Sequence, residues 1–403
     1  ASLFRDYIPT ISTAFVDDYP LPAYTYDKLA IGLIDAYRFA RVTEAKTALD
    51  KVTDAVLPFL PEKALTREER RERPYTSEAQ IWDEPYTLPE NLYLAWHAGM
   101  GERYKELAGR YLQDEALFDP LSRGVSPLKG KHAYNHVNAL NSAIEAYWAT
   151  GDEKYLKAAV NGFDFVVRQS YATGGWGPNE ELLAADDNDA LLDMLSSTHS
   201  SFETPCGAYG HFKITRSLLR ITKDSRYGDS MERVLYNTVL GAKPTTPAGE
   251  TFYYADYNWQ ATKFFRGEAW PCCSGTFIQL TADYGISAYL AEGDDVYVNL
   301  FVPSQLDTGA VKIIQTTAYP LEPVSRIAVD PAGPRRFALS LRIPAWAGPA
   351  TAVRINGKAQ SGVKPGRFLK LARTWQPGDV VEVAFDMALR LEPLNDAHPD
   401  VVA

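Results

Sequence analysis

The chain has 403 residues, the length of two or three average domains and enough to bury a sizeable core. Its 41 Lys and Arg stand against 51 Asp and Glu, a formal charge of −10 with no long basic run, which excludes the electrostatic footprint of a nucleic-acid or anionic-membrane binder. No stretch approaches the roughly 18 apolar residues of a membrane span; the sequence holds no signal-peptide pattern and opens on Ala1, so the chain reads as processed or cut from something longer. The densest charge cluster, Arg67 to Arg73 (REERRER), alternates sign like a solvated face.

From about Tyr26 to Ala288 the apolar residues recur with helical period. Leu29, Leu33, Ala36, Tyr37 and Ala40 share one face, as do Leu156, Ala159, Phe163 and Val166 or Val167. A recurring connection punctuates these helices: Ala98-Gly-Met-Gly-Glu-Arg-Tyr104, Thr150-Gly-Asp-Glu-Lys-Tyr155 and Thr222-Lys-Asp-Ser-Arg-Tyr227. Each reads as a short turn closing one helix and opening the next, with a tyrosine packed at the corner. The tyrosines stand 51 and 72 residues apart, so the repeated unit is a helical hairpin with insertions between copies. Stacked hairpins bury their inner faces against neighbours. An open solenoid is one solution; an α/α toroid, with its long inter-hairpin loops as active-site decoration, is the preferred one.

After about Gly293 the period changes to two. Asp295–Val302, Phe337–Ile343, Ala352–Ile355 and Val380–Phe385 alternate like half-buried strands. Turns separate them at Asp307-Thr-Gly309, Pro331-Ala-Gly333, Asn356-Gly357 and Pro377-Gly-Asp379. Asn356-Gly357 is a strong two-residue hairpin signal. The expected architecture is therefore mainly α: an α/α toroid over residues 1–290, then an all-β sandwich over residues 291–403 that stops on Val401-Val402-Ala403 with its last strands missing.

Aromatic residues number 24 Tyr, 17 Phe and 8 Trp. Rings with a polar tip suit sugar-binding clefts, although a Tyr-rich core has the same composition. The three cysteines, Cys206, Cys272 and Cys273, cannot build a secreted disulfide framework. All three fall at expected loop-to-helix junctions, where unpaired N–H groups and the helix dipole favour thiolate. Three thiolates and Glu203 make four donors, the number a tetrahedral zinc ion takes. Three buried free thiols, or a vicinal Cys272–Cys273 disulfide, read equally well from the residues alone.

Longer motifs add a resemblance. Glu203-Thr-Pro-Cys-Gly-Ala-Tyr-Gly-His-Phe-Lys-Ile214, Asp224 to Asn237, Phe252-Tyr-Tyr-Ala-Asp-Tyr257 and Trp270-Pro-Cys-Cys-Ser-Gly275 resemble the β-L-arabinofuranosidase glycoside hydrolases of family 127 and their relatives. Trp82 to Asn91, His132 to Ala139 and Thr173 to Pro178 are similar too, so the likeness spans nearly the whole chain in order. It implies an α/α barrel followed by β-sandwich material, in members usually longer at both ends. It also implies a zinc site of Glu203, Cys206, Cys272 and Cys273, with Cys272 as nucleophile. Two local patterns differ: the family has Glu-x-Cys where this chain has Glu203-x-x-Cys206, and Pro-Pro-Asn where it has Ser274-Gly275-Thr276.

Protonating a glycosidic leaving oxygen needs a carboxylic acid. The resemblance puts it after the Gly-rich turn, where Glu180 is the first choice and Glu181 the second; neighbouring like charges raise one of two pKa values, and two solvated glutamates are the plain alternative. His136 matches a substrate-contacting histidine, and Tyr254 (or Tyr253) a substrate-contacting tyrosine. His132, His199, Trp82, Glu84 and Glu90 are further cleft candidates without assigned roles. The leading expectation is a retaining exo-glycosidase with zinc, releasing β-L-arabinofuranose or a close relative from plant cell-wall oligosaccharides or glycoconjugates, with no nucleic-acid or membrane partner. Two others stand beside it: a non-catalytic carbohydrate-binding or scaffold protein with a structural zinc, and a toroid epimerase or lyase using His with Tyr or Glu. A bacterial-type cytoplasm and a periplasm are both compatible with the thiols.

Overall fold

A computed structural model describes residues 21–72, 86–197, 205–241, 252–254, 264–265 and 272–403. These fall into two compact units, one within Ala1–Gln169 plus Glu180–Asp187, the other within Ser170–Asn179 plus Asn188–Ala403. No helix among the described residues is long and apolar enough to cross a membrane.

The first unit is helical: α1 (Pro22–Arg38), α2 (Glu44–Val56), α3 (Arg67–Arg71), α4 (Leu88–His97), α5 (Arg103–Arg110), α6 (Asp119–Ser122), α7 (Ala133–Thr150) and α8 (Glu153–Arg168). Two of the three expected corners lie here. Gly151 adopts the left-handed conformation (φ 73°) that closes α7, and the Asp152 side chain accepts from the Lys154 N–H at 2.9 Å to open α8. The corner tyrosines are buried, Tyr104 donating to Asp50 at 2.6 Å and Tyr155 to Asp114 at 3.1 Å. Hairpins α4/α5 and α7/α8 therefore form as expected. In α8 the buried stripe runs through Tyr155, Ala159, Phe163 and Val166, whereas Val167 is exposed. The α1 stripe is rotated from the expected face: Ala23, Tyr26, Ala30, Leu33 and Ile34 are buried, while Leu29 and Tyr37 are half-buried. The charge cluster forms α3 behind a Thr66/Glu69 capping box, and its Arg70 is buried rather than solvated, donating to the Leu65 carbonyl at 2.7 Å.

The second unit opens with α9 (Ala190–Ser197), α10 (Pro205–Thr222) and α11 (Arg226–Val234). The third corner joins α10 to α11. Lys223 is left-handed (φ 56°), Asp224 accepts from the Arg226 N–H at 3.0 Å, and Tyr227 is buried. A short pair, β1 (Phe252–Tyr254) and β2 (Phe264–Phe265), precedes α12 (Cys272–Ile286).

The β part has two sheets. The first orders its strands β10 (Lys358–Ala359), β9 (Ala352–Ile355), β12 (Asp379–Ala384), β7 (Val324–Pro331), β6 (Val311–Thr317) and β5 (Ser304–Asp307). The second orders β11 (Arg367–Trp375), β8 (Arg335–Ile343), β4 (Asp295–Val298) and β3 (Tyr289–Glu292), with β4 and β8 parallel. Inward residues of both sheets, among them Ile313, Ile327, Val381, Leu339, Leu341 and Trp375, form one apolar core, so this is a β-sandwich as expected. Ile355 pairs with Lys358 across Asn356 (φ 49°) and Gly357 (φ 81°), the two-residue turn anticipated from those residues. Strand β8 departs from the half-buried expectation. From Phe337 to Ile343 both of its faces are buried, because Asp229 and Glu232 of α11 engage its Arg342.

Candidate active site

The sulfur centre is built from two helix starts. Cys206 is the second residue of α10, and Cys272 and Cys273 are the first two of α12. Along α12, Cys273, Leu280 and Asp283 are buried, a stripe at helical spacing that also carries the half-buried Thr276. That stripe meets α10 twice. Cys273 Sγ lies 3.4 Å from Cys206 Sγ, and Asp283 lies 2.7 Å from the Arg216 guanidinium. Each contact pair is ten residues from the other in both helices, about 15 Å of helix rise, so α10 and α12 run parallel with their N-termini at the sulfurs. Two positive dipole ends thus converge on one place.

Both described thiols are buried, and neither is in a disulfide. At 3.4 Å the sulfurs are well beyond the roughly 2.05 Å of a bond. Two thiolates on one tetrahedral zinc, each about 2.3 Å from it, stand about 3.8 Å apart, within a few tenths of the observed spacing. The soft donors and their separation fit that ion. Thr276 adds a hydroxyl 3.2 Å from Cys206 Sγ. Glu203 and the Cys272 side chain lie outside the described residues, and among the described residues no group of three or more His, Cys, Asp or Glu could hold a metal.

The acid candidates lie in the first unit. Gly130 N donates to the Leu182 carbonyl at 2.8 Å, Leu182 N to the Lys131 carbonyl at 2.9 Å, and His132 bridges Glu181. This small antiparallel ladder fixes residues 180–182 against the approach to α7. Asn179 (φ 55°) and Glu180 (φ 62°) both take the left-handed conformation, strain that the ladder holds in place. The Glu180 carboxylate is thereby brought 3.8 Å from His132 Nε2, whereas the Glu181 side chain is exposed.

The two histidines have complementary tautomers. His132 caps α7, its Nδ1 accepting from the Asn135 N–H at 3.3 Å, which puts the proton of the neutral ring on Nε2 toward Glu180. His136 is buried, and its Nδ1 lies 2.9 Å from the His132 carbonyl. A carbonyl only accepts, so Nδ1 carries the His136 proton and Nε2 is the acceptor of the neutral ring. Beyond His136, α7 continues with buried Asn138, Asn141, Ser142 and Glu145. Such a polar line is unusual for a core helix and suits a polar ligand.

Glu90 is buried on α4, its backbone N–H donating to Ser142 Oγ at 3.2 Å. Trp82, Glu84 and His199 lie outside the described residues, as do the side chains of Tyr253 and Tyr254, whose backbone forms β1. Two polar features were missed in the sequence. Asp27 is buried and accepts from Asn91 at 2.6 Å and Thr87 at 2.5 Å; its place within the apolar face of α1 was the available signal. His211 is fully enclosed on α10, 2.9 Å from Ser230 Oγ and stacked on Trp176, and burial pushes its pKa down to about 4.

The family model described as β-L-arabinofuranosidase, GH127 catalytic domain, matches residues 8–286, and the model for the GH127 middle domain matches residues 295–387. The chain belongs to the GH127 β-L-arabinofuranosidase family. Solved structures agree on the fold of this GH127 member. One described as a glycoside hydrolase is 21% identical with a TM-score of 0.69, covering 93% of this chain and 65% of its own. A GH127 β-L-arabinofuranosidase from Geobacillus stearothermophilus T6 is 21% identical with a TM-score of 0.67, covering 93% and 63%. A GH127 β-arabinofuranosidase is 23% identical with a TM-score of 0.70, covering 93% and 61%. The chain thus spans 61 to 65% of the length of these solved proteins. None of the curated proteins compared by sequence matches it.

Proposed function

We propose that residues 1–290 carry a retaining exo-glycosidase that releases a terminal β-L-arabinofuranosyl group, or a close relative, from plant cell-wall oligosaccharides or glycoconjugates. The observation that supports it most is the meeting of Cys206 and Cys273 at 3.4 Å on two helix N-termini, with Cys272 next in sequence, inside the region matched by the GH127 catalytic domain. Glu203, Cys206, Cys272 and Cys273 would hold zinc. When bound, the ion keeps sulfur ionised at neutral pH.

The residues then divide the work. Cys272 Sγ bonds to the anomeric carbon as the bond to the leaving oxygen breaks, and Glu180 gives its proton to that oxygen. His132 lies beside Glu180 and offers it an N–H partner. In the second half, water attacks the anomeric carbon and passes a proton to Glu180. The carbon–sulfur bond breaks with its electron pair returning to Cys272. Two inversions leave net retention. His136 and Tyr254 contact the sugar hydroxyls.

A panel of aryl glycosides, including the β-L-arabinofuranoside, tests this with Cys272→Ala as the paired variant. Release of the furanosyl group by the wild type, with a loss of at least about 10³-fold in the variant, is expected. Full activity in Cys272→Ala would remove the nucleophile from the scheme.

A further inference from the structure

We propose that Thr276 is a positioning residue for the sulfur centre, its hydroxyl donating to Cys206 and holding that sulfur in the direction from which it grips the metal. Three observations carry this. Thr276 lies one turn beyond Cys273 on α12, at the i+3 position that shares its face. Its Oγ1 is 3.2 Å from Cys206 Sγ, on a different helix. Cys206 in turn touches Cys273 at 3.4 Å, so one sulfur receives both contacts.

A thiolate has lone pairs and no proton, so in the ionised pair the threonine hydroxyl must be the donor. Hydrogen bonds to an ionised acceptor are among the stronger ones, and groups that bond to a metal ligand from outside orient it and set its hold on the ion. A threonine on a helix has restricted χ1 freedom, so the hydroxyl is presented to the sulfur at little entropic cost. The inference rests on the zinc reading above and extends it to a residue outside the four donors.

The test compares the wild type with Thr276→Val, which keeps the shape and removes the hydroxyl, and Thr276→Ser, which keeps the hydroxyl. Each protein is stripped and titrated with zinc against a chromogenic chelator, and bound metal is counted by mass spectrometry. Thr276→Val is expected to bind zinc about 10- to 100-fold more weakly, with Thr276→Ser within about threefold of wild type. Melting of the metal-free proteins checks the fold, and Thr276→Ala replaces the valine variant if that one is perturbed. Equal zinc affinity in wild type and the hydroxyl-free variant would overturn the role of Thr276 while leaving the metal centre standing. A wild type that takes up no zinc would overturn both.

Discussion

Arg342 on β8 is fully buried, and its guanidinium is bonded to the Glu232 carboxylate of α11. The same guanidinium donates to Asp229 at 2.5 Å and to the Asn299 carbonyl at 2.6 Å. Glu232 also accepts from Tyr319 at 3.0 Å and from the Trp346 indole at 2.8 Å. One cation thus satisfies two carboxylates where helix meets sheet. Replacing it with methionine leaves both acids without their counter-charge, so Arg342→Met is expected to lose about 3–5 kcal/mol of stability. Urea unfolding followed by circular dichroism measures it, and a loss below about 1 kcal/mol would show that the acids find other partners.

Gly228 sits against the same cluster. A Cβ there would fall 2.2 Å from Asn299 Oδ1 and 2.6 Å from Arg342 Cδ. Gly228→Ala must therefore displace the Asn299 amide and the buried Arg342 side chain, at a cost of about 1–3 kcal/mol. Gly32, an exposed position inside α1, has nothing within 4 Å of its virtual Cβ. Gly32→Ala is expected to stabilise by about 0.5–1 kcal/mol. Opposite shifts in melting temperature from one chemical change make the comparison decisive.

The glutamate pair separates by activity. Glu180 is half-buried beside His132, and Glu181 faces solvent. Glu180→Gln is expected to cut turnover of substrates with poor leaving groups by about 10²–10⁴-fold, while Glu181→Gln stays within a few-fold. Aryl glycosides with acidic phenols as leaving groups need less help, so the Glu180→Gln loss shrinks on them. The reverse ranking would move the acid by one residue.

His211 sets a pH dependence. Its folded pKa is depressed to about 4 by burial, against an unfolded value near 6.5. The unfolded chain therefore binds a proton that the folded chain refuses. The neutral ring's contribution is intact above pH 6.5 and is lost as pH falls toward about 4, on the order of 3 kcal/mol over the window. His211→Gln is expected to flatten the stability profile between those limits, read as the wild-type minus variant difference at each pH. Parallel profiles would mean that the ring charges without cost.

Much of the architecture was legible because it is local. The three tyrosine corners, the Asn356-Gly357 turn and the placement of the cysteines at helix starts all follow from a few adjacent residues. What the residues hid was non-local. The alternation in Phe337 to Ile343 correctly turned Leu339 and Leu341 inward, but it cast Arg342 outward to water, and only the covering α11 buries it. Strands β5, β6, β7 and β11 were not anticipated; the exposed Ile314 beside buried Ile313 blurs the period of β6. In the candidate site, the residues alone left separate buried thiols as open as a shared centre, and the proximity of Cys206 and Cys273 was what the family resemblance implied, whereas Glu180 meeting His132 depends on a ladder between segments nearly fifty residues apart.

The parallel packing of α10 on α12 has one more consequence. The Arg216–Asp283 contact sets the sliding position of the two helices at the end remote from the thiols. On the zinc reading proposed above, the packing of α10 on α12 would bring Cys206 and Cys273 together without help from the ion. Demetallated protein is expected to keep its helical signal and to regain its cargo on resupply without passing through a denatured stage, which sets it apart from small zinc modules that collapse when stripped.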